Sequence, residues 1–301
     1  IELKDQVTEG ERELILFAKA TAENNALAQN QHINNLIELY PEDERVQTWA
    51  GTYFYRNQDY KKALTHLNNA YRENKKYHPA VNLLGYTYMQ MGKTNRAEKK
   101  FKEYISLLPA NANPYDSYGD FLLRQGRFTE STRNYQKAID YNPTYASSYK
   151  GLGDNYLFTK KFDLARNNYQ KYYEHVINED NKFYALALKA SVDLHQNNIN
   201  AAMNMLDKYV QLAEELDKPF YKIYGTAYKG YVLAENGKSD KALTYYKKAM
   251  DLVDTEQLAR QMRENLRTTA YMWEFHALAT SDDIEKAEIL EKKCKNRLAE
   301  N

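Results

Sequence analysis

Apolar residues recur at helical spacing along most of the chain, in paired stretches of about 14 residues separated by short breaks. One such pair consists of Val81, Leu84, Tyr88 and Met91, followed by Ala97, Phe101, Tyr104 and Leu108. Spacing of this kind places the apolar side chains of each stretch on one helix face. The pattern therefore predicts a succession of antiparallel helix pairs.

Small residues repeat through this pattern with a fixed period. Gly51, Gly85, Gly119 and Gly153 follow one another at intervals of 34 residues. Ala190 and Gly230 continue the series at intervals of 37 and 40; we call these six the leading residues. Each is followed twelve residues later by a second small residue, namely Ala63, Ala97, Ser131, Ala165, Ala202 or Ala242. We predict that each leading residue and its partner lie at a close contact between two helices, flanked by large side chains such as Tyr88 and Phe101.

Glycine and proline mark the ends of the predicted helices. Gly92, Gly126 and Gly237 stand seven residues after a leading residue, where glycine can adopt the left-handed conformation that ends a helix. Pro109 and Pro143 end the second helices, because proline lacks the backbone N–H and clashes with the preceding turn. Although Gly237-Lys238-Ser239 shares residue types with phosphate-binding loops, its position favours a helix-ending turn.

The repeat resembles the tetratricopeptide repeat family. The resemblance is strongest in Gly85-Tyr88-Gly92-Ala97-Phe101-Pro109 and in Gly119-Gly126-Phe128-Tyr135-Ala138-Pro143. It implies an all-α fold, a right-handed α-solenoid of stacked antiparallel helix pairs. The stretches 9–12, 38–41 and 113–118 also resemble exported bacterial members of the family without assigned chemistry. That narrower resemblance implies an exported or periplasmic location in a bacterium in preference to the cytoplasm.

The repeat pattern divides the chain into three parts. Residues 1–43 are expected to form a divergent helix pair, and residues 255–301 a degenerate closing pair with Phe275 at the leading position. Between them we expect six units, at 44–77, 78–111, 112–145, 146–182, 183–222 and 223–254. The extra residues of the fourth and fifth units are predicted to lengthen their second helices, at 171–178 and 207–216.

The first helix is apolar on all sides at Leu14-Ile15-Leu16-Phe17. A helix of this kind is normally covered on both sides. We therefore expect either that a further helix pair precedes this sequence or that a partner covers the first pair. The apolar run is far shorter than the roughly 20 residues needed to span a bilayer, so no membrane insertion is predicted.

Composition and charge argue against several functional classes. The chain has 42 Lys and Arg against 41 Asp and Glu, whereas nucleic-acid binding by bulk charge needs an excess of basic residues. Its single cysteine, Cys294, and its six scattered histidines form no metal-ligand motif. No nucleophile motif is present either. We expect no enzyme activity, no cofactor, no metal and no nucleic-acid partner, and the sequence gives no indication of oligomeric state.

In the tetratricopeptide repeat family the concave surface, lined by first helices, holds peptides. The side chains expected there are Thr52, Tyr55, Arg56, Asn82, Tyr86, Met89, Gln90, Asp116, Asp120, Arg124, Lys150, Asp154, Phe158 and Tyr231. Tyrosine contributes large contact area and a hydroxyl, and an acidic centre would favour a Lys- or Arg-bearing ligand. The opposite interpretation, that half of these tyrosines are core and the acids only solvate a groove, is about equally favoured.

Two functional hypotheses follow from this surface. The preferred one is a noncatalytic scaffold that binds a peptide or protein segment on the concave face. The alternative is a regulatory or sensory module that binds a small peptide or an oligosaccharide, since aromatic platforms also suit sugars. The Lys/Asn/Arg clamp of chaperone-binding members is missing, because Thr48, Thr52, Leu83, Asn113 and Ser117 occupy its places. Binding to chaperone tails is therefore not expected.

Overall fold

The computed structural model describes residues 7–280 together with 285, 288 and 292. Over residues 7–280 the chain forms fifteen α-helices and no β-strand, which confirms the all-α prediction. The chain divides into two compact units, residues 1–151 and 152–301, and α9 (Ala146–Phe158) contains the residue at which they divide.

The first unit consists of successive helix pairs. Its helices are α1 (Glu9–Ala22), α2 (Ala26–Leu39), α3 (Glu44–Arg56), α4 (Tyr60–Glu73), α5 (His78–Gln90), α6 (Thr94–Leu107), α7 (Ala112–Arg124) and α8 (Phe128–Tyr141). Each odd-numbered helix packs against the helix that follows it, and α4 and α6 also pack against the first helix of the next pair. The first helices contact one another as well, α3 with α5 and α5 with α7. This arrangement is a solenoid of stacked helix pairs.

The second unit repeats the arrangement, and its helices are longer from α11 onward. After α9 come α10 (Phe162–His175), α11 (Glu179–His195), α12 (Ile199–Glu215), α13 (Pro219–Ala234), α14 (Ser239–Thr255) and α15 (Arg260–Ala279). Here α11 packs on α12, α12 on α13, and α13 on both α14 and α15. The buried residues include Ile223, Ala227, Tyr246 and Leu266.

The helix lengths in this region differ from those predicted. The second helix of the predicted repeat unit 146–182 is α10, which has 14 residues and is not extended. The next helix, α11, has 17 residues and begins at Glu179, ahead of the expected position 183. Likewise, α13 begins at Pro219, ahead of the expected 223. Only α12 is lengthened as predicted, to 17 residues. Asn178 accounts for the early start of α11, because its side chain accepts a hydrogen bond from the Asp180 N–H and so caps the helix.

The breaks within the helix pairs have the predicted backbone conformation. Gly92, Gly126 and Gly237 have φ values of +69°, +72° and +68°. At Gly237, the N–H of Lys238 donates to the carbonyl oxygen of Leu233 at 2.9 Å, which is the 6→1 bond of a Schellman turn. The prediction of a helix-ending turn at this position is confirmed.

The space beside each leading glycine is filled by an aromatic ring or a leucine. A Cβ added at Gly85, Gly119 or Gly230 would lie 2.6–2.9 Å from the ring of Phe101, Tyr135 or Tyr246 respectively. At Gly51 the side chain of Leu67 occupies the corresponding space. These large residues stand sixteen positions after the leading residue, not twelve. Large side chains were predicted to flank the small residues, and in the structure they lie directly on the leading glycines.

The twelve-on partners lie in the same interface but leave room for these rings. Ala97 and Ala165 are fully buried, as is Ser131. The Ser131 hydroxyl donates to the carbonyl oxygen of Gly119 at 2.7 Å, so this pair is in direct contact. Small side chains at both places let the helices approach closely enough to enclose the large one.

The structure describes more of the N-terminal end of the chain than of its C-terminal end. Phe275 is 38% exposed, whereas Ala270 and Ala277 are buried, so Phe275 does not occupy the predicted leading position in the helix contact. Most of the expected closing helix lies outside the described residues, including Cys294. At the other end, Leu14 and Phe17 pack with the core of α2 and α3, while Ile15 is 38% exposed. Among the described residues, no helix is both long and apolar enough to cross a bilayer.

Candidate binding surface on the first helices

The predicted ligand-facing residues of the first unit meet where α3, α5 and α7 lie side by side. Tyr86 and Asp120 each follow a leading glycine by one position, and Gln90 and Arg124 follow one turn later. With Tyr55 of α3 they form one connected group, which we call the α3–α5–α7 cluster. The stacking of three first helices therefore brings together residues that are far apart in sequence.

Tyr86 lies at the centre of this cluster. Its ring packs edge-on against Phe101, with the centroids 5.1 Å apart and the planes at 82°. Burial raises the pKa of the Tyr86 hydroxyl, and the neighbouring Asp120 carboxylate raises it further. The half-buried ring thus packs against the core, while the hydroxyl lies in an acidic environment.

Asp120 connects Tyr86 to the polar edge of the cluster. Its Oδ2 accepts a hydrogen bond from Nε of Arg124 at 3.1 Å, an ion pair one turn apart on α7. Burial disfavours the charged form of Arg124, but Asp120 outweighs this effect and the pKa of Arg124 is raised. On the α3 side, Nε2 of Gln90 donates to the Tyr55 hydroxyl at 3.4 Å. The cluster therefore holds aromatic, acidic and basic groups within reach of a single ligand.

A second acidic group lies next to the cluster. Burial raises the pKa of Asp116 to about 6, although a hydrogen bond from the Ser148 hydroxyl, 2.7 Å from Oδ1, favours its charged form. The Asp120 carboxylate raises the pKa of Asp116 further, and the Lys150 ammonium opposes that effect. Asp116 is a half-buried acid close to its titration range at neutral pH.

A network of tyrosines and an amide supports the Asp116 side of the surface, and sequence reasoning missed the role of its tyrosines. Asn113 accepts a hydrogen bond from the Tyr104 hydroxyl at 3.0 Å, and its Nδ2 donates to the Tyr145 hydroxyl at 2.8 Å. Burial raises the pKa of Tyr145 to about 12, and the nearby Asp116 carboxylate adds to the effect. Tyr145 stands just before α9, so the helical periodicity gave no signal for it.

The remaining first-unit residues are distributed around the cluster. Met89 packs against the buried core beneath Tyr86. The Oδ1 atom of Asn82 is buried and has no hydrogen-bond partner in the described part of the chain. Thr52 and Arg56 line a separate cavity of about 230 Å³, shared with Phe17 of α1. The structure therefore brings only some of the predicted residues into one group.

In the second unit the predicted residues occupy different surroundings. Asp154 accepts a hydrogen bond from the Tyr169 hydroxyl at 2.7 Å, so it contacts a buried ring. Phe158 is 66% exposed. Tyr231 stacks on His276 with the centroids 5.0 Å apart. Asp116 and Asp120 belong to the first unit and Asp154 to the second.

An aromatic cavity of about 410 Å³ lies between α13 and α15; we call it the α13–α15 cavity. It is lined by Tyr224, Ala227, Tyr228, Tyr231 and Trp273. Tyr231 was predicted to face a ligand, whereas Trp273 was not, since the repeat pattern weakens beyond residue 255. Throughout the described residues, no group of three or more His, Cys, Asp or Glu side chains is arranged to hold a metal ion.

Comparisons with known proteins agree with this architecture. Two sequence profiles of the tetratricopeptide repeat match the chain, at residues 48–112 and at residues 229–252. No curated protein matches it significantly.

Solved structures extend the likeness of fold. A tetratricopeptide repeat protein from Parabacteroides merdae ATCC 43184 is 12% identical, with a TM-score of 0.58 over 87% of this chain and 98% of that one. PilW, a type IV pilus biogenesis factor, is 19% identical, with a TM-score of 0.57 over 74% of this chain and 98% of that one. A chain of the APC/C hetero-tetramer Cut9–Hcn1 is 14% identical and gives a TM-score of 0.60 over 84% of this chain, which spans only 48% of its length. The chain thus matches tetratricopeptide repeat profiles at residues 48–112 in the first unit and 229–252 in the second, and it is similar in fold to solved tetratricopeptide repeat structures.

Proposed function

We propose that this protein is a noncatalytic interaction scaffold that binds a peptide or protein segment on the face formed by its first helices. Tetratricopeptide repeats are generally scaffolds of this kind, and the binding region proposed here is the α3–α5–α7 cluster. The observation that carries the proposal is the placement of Tyr86, Asp120 and Gln90 together at the surface of three stacked first helices.

The chemistry of this cluster favours a segment that carries a basic residue. Asp116 and Asp120 supply negative charge, and Tyr55 and Tyr86 supply aromatic surface with hydroxyl groups. A Lys or Arg side chain of the ligand could pair with Asp120 in place of Arg124 and lie along a tyrosine ring. Such a ligand would bind less tightly at high salt, because exposed ion pairs are screened.

Absence of catalysis is also part of the proposal. The pKa shifts on this surface have structural explanations, because Asp116 is half-buried next to Ser148 and Tyr86 is packed on Phe101. A pair of titratable groups poised for proton transfer to a substrate would instead open into a cavity. An interaction surface requires no such pair.

A charge-reversal variant tests the proposal directly. The Asp120→Lys variant and the wild-type protein would be used as baits in native extract, with captured proteins quantified by mass spectrometry. Asp140→Lys, the same change on the exposed side of α8, is the matched control. We expect partners that the wild type and the control capture but Asp120→Lys does not. Equal capture by all three baits would contradict the proposed site.

We also propose that the protein is exported in a bacterium. The support is the resemblance of stretches 9–12, 38–41 and 113–118 to exported bacterial repeat proteins. Fractionation of the source cells with a specific antibody tests this, and recovery solely with cytoplasmic markers would contradict it.

A further inference from the structure

The α13–α15 cavity presents several aromatic faces and edges to one space. Tyr224 and Trp273 meet edge-to-face, with the centroids 5.8 Å apart and the planes at 85°. Tyr228 and Tyr231 lie 5.7 Å apart at 48°. A volume of about 410 Å³ falls within the roughly 300–1,000 Å³ that small-ligand pockets occupy. Aromatic rings that surround a common space are the arrangement that attracts an organic cation, because the ring faces carry negative potential.

Elsewhere the chain places its own cations over its aromatic rings. Nζ of Lys100 lies 3.3 Å from the centroid of Tyr71, and Nζ of Lys137 lies 4.4 Å from that of Tyr115. In the second unit, Tyr245 has Nζ of Lys248 at 5.2 Å. Among the described residues, no lysine or arginine lies over the four rings that line the α13–α15 cavity. Within the part of the chain that the structure describes, lysine side chains thus cover rings elsewhere, whereas no lysine or arginine covers those of the cavity.

The charge at the edge of the cavity has the sign that a cation requires. Burial raises the pKa of the Tyr231 hydroxyl, and the nearby Glu235 carboxylate raises it further, which places that carboxylate close to the cavity wall. Glu235 Oε1 lies 2.8 Å from Nε2 of His276, whose ring stacks on Tyr231. Among the described residues, those that line the cavity include no cationic side chain.

We propose that the α13–α15 cavity binds the guanidinium group of an arginine in a peptide or protein partner. Guanidinium is planar, weakly hydrated and stacks on aromatic rings, so it loses less hydration than an ammonium on entering such a space. Glu235 supplies the complementary charge at the rim. The inference depends on the proposed scaffold function in one respect, which is that the arginine belongs to a bound polypeptide. The cavity itself lies in the second unit, whereas the α3–α5–α7 cluster lies in the first.

Intrinsic fluorescence can report on this cavity alone. The chain has two tryptophans, Trp49 and Trp273, so a Trp49→Phe background leaves Trp273 as the only indole. This protein would be titrated at pH 8 and low salt with Nα-acetyl-arginine methylamide and with its neutral analogue, Nα-acetyl-citrulline methylamide. We expect a saturable change in Trp273 emission with arginine in the millimolar range, and at least fivefold weaker binding of citrulline.

Variants separate this site from a general structural effect. Tyr228→Ala and Glu235→Gln should each weaken arginine binding severalfold, whereas Tyr245→Ala, which removes a ring already covered by a lysine, should leave it unchanged. Because the exposed Glu235 can be replaced without disturbing the core, the charge test holds even if Tyr228→Ala fails to fold. Asp120→Lys should also leave it unchanged, so failure of the proposed function and failure of this inference are distinguishable.

Other ligands serve as competing outcomes. Equal binding of citrulline, tighter binding of choline than of the arginine compound, saturable binding of a neutral oligosaccharide without arginine binding, or no response to any probe would each overturn the proposal. Binding of arginine that depends on Tyr228 and Glu235 supports it.

Discussion

The ring of Phe101 occupies the space that a side chain at Gly85 would need: a Cβ built at Gly85 would lie 2.8 Å from Cε1 of the ring. Phe101 is fully buried, so the ring has little freedom to move aside. The same relationship joins Gly119 to Tyr135 and is repeated through the chain. Wherever the leading residue is glycine, the close contact of the helix pair is therefore a large side chain on a glycine backbone.

A methyl group added at this contact should destabilise the protein. Gly85→Ala is expected to lower the free energy of unfolding by about 1–3 kcal/mol, the usual range for overpacking a dense core. Denaturant unfolding followed by circular dichroism measures the difference. No loss of stability would mean that the helices can separate slightly at no cost.

A double-mutant cycle attributes that loss to the ring. The α11–α12 pair already has Ala190 at the leading position and Leu206 sixteen residues later, and both are fully buried. Gly85→Ala should therefore cost less when Phe101→Leu is also present, with a coupling of about 1 kcal/mol or more. Additive effects of the two substitutions would contradict direct contact between the added methyl and the ring.

The turns within the helix pairs allow a second stability test. Gly126 has φ +72° and open space around its Cβ position, so Gly126→Ala should cost about 1 kcal/mol through backbone conformation alone. Lys160 has φ +58° at the equivalent turn after α9. Lys160→Gly is expected to raise the unfolding midpoint, or to leave it unchanged where chain entropy offsets the relief of strain.

Thermal and denaturant midpoints compare the two variants. The diagnostic result is a lowered midpoint for Gly126→Ala together with no lowering for Lys160→Gly, because the first substitution introduces a side chain into the left-handed region and the second removes one. A lower midpoint for Lys160→Gly than for Gly126→Ala would show that side-chain contacts, and not backbone conformation, dominate at these turns.

The half-buried carboxyl group of Asp116 predicts a specific pH dependence. Its pKa is raised to about 6 from the ordinary 3.8, so the folded protein binds this proton more tightly than the unfolded chain. The resulting stability is complete below about pH 4 and is lost as the pH rises through about 6. Relative to wild type, Asp116→Asn should therefore gain about 1–3 kcal/mol between pH 4 and pH 7.5.

Denaturant unfolding at the two pH values tests this prediction, and Ser148→Ala provides a companion measurement. The Ser148 hydroxyl favours the charged form of Asp116, so its removal should steepen the loss of stability with rising pH. The same stability difference between wild type and Asp116→Asn at both pH values would show that the carboxyl group titrates alike in the folded and unfolded states.

Helix pairing and turn positions could be predicted from the sequence because they depend on local periodicity and on glycine. The turn at Gly92 illustrates this, since its position and positive φ both follow from the repeat. It was harder to predict which residue of the second helix contacts each leading glycine. Ala97 and Phe101 lie one turn apart on the same face of α6. Periodicity alone therefore does not show which of the two contacts Gly85.

The α3–α5–α7 cluster was less predictable because it depends on how neighbouring helix pairs stack. Tyr86 and Asp120 were recognised from their position next to a leading glycine, but the hydrogen bond between Asn113 and Tyr145 joins residues outside that register. Asp154 shares the position of Asp120 in the repeat, and its carboxylate accepts a hydrogen bond from the Tyr169 hydroxyl.

Site-specific photo-crosslinking tests the proposed binding surface most directly. A benzoylphenylalanine would replace Gln90 at the edge of the α3–α5–α7 cluster or, as a control, the exposed Lys99 on α6, in the native host. We predict crosslinks to a partner from position 90 that disappear when Asp120→Lys is added, and none from position 99. Crosslinks to the same partner from position 99 alone, or crosslinks from position 90 that persist in the Asp120→Lys background, would contradict the account.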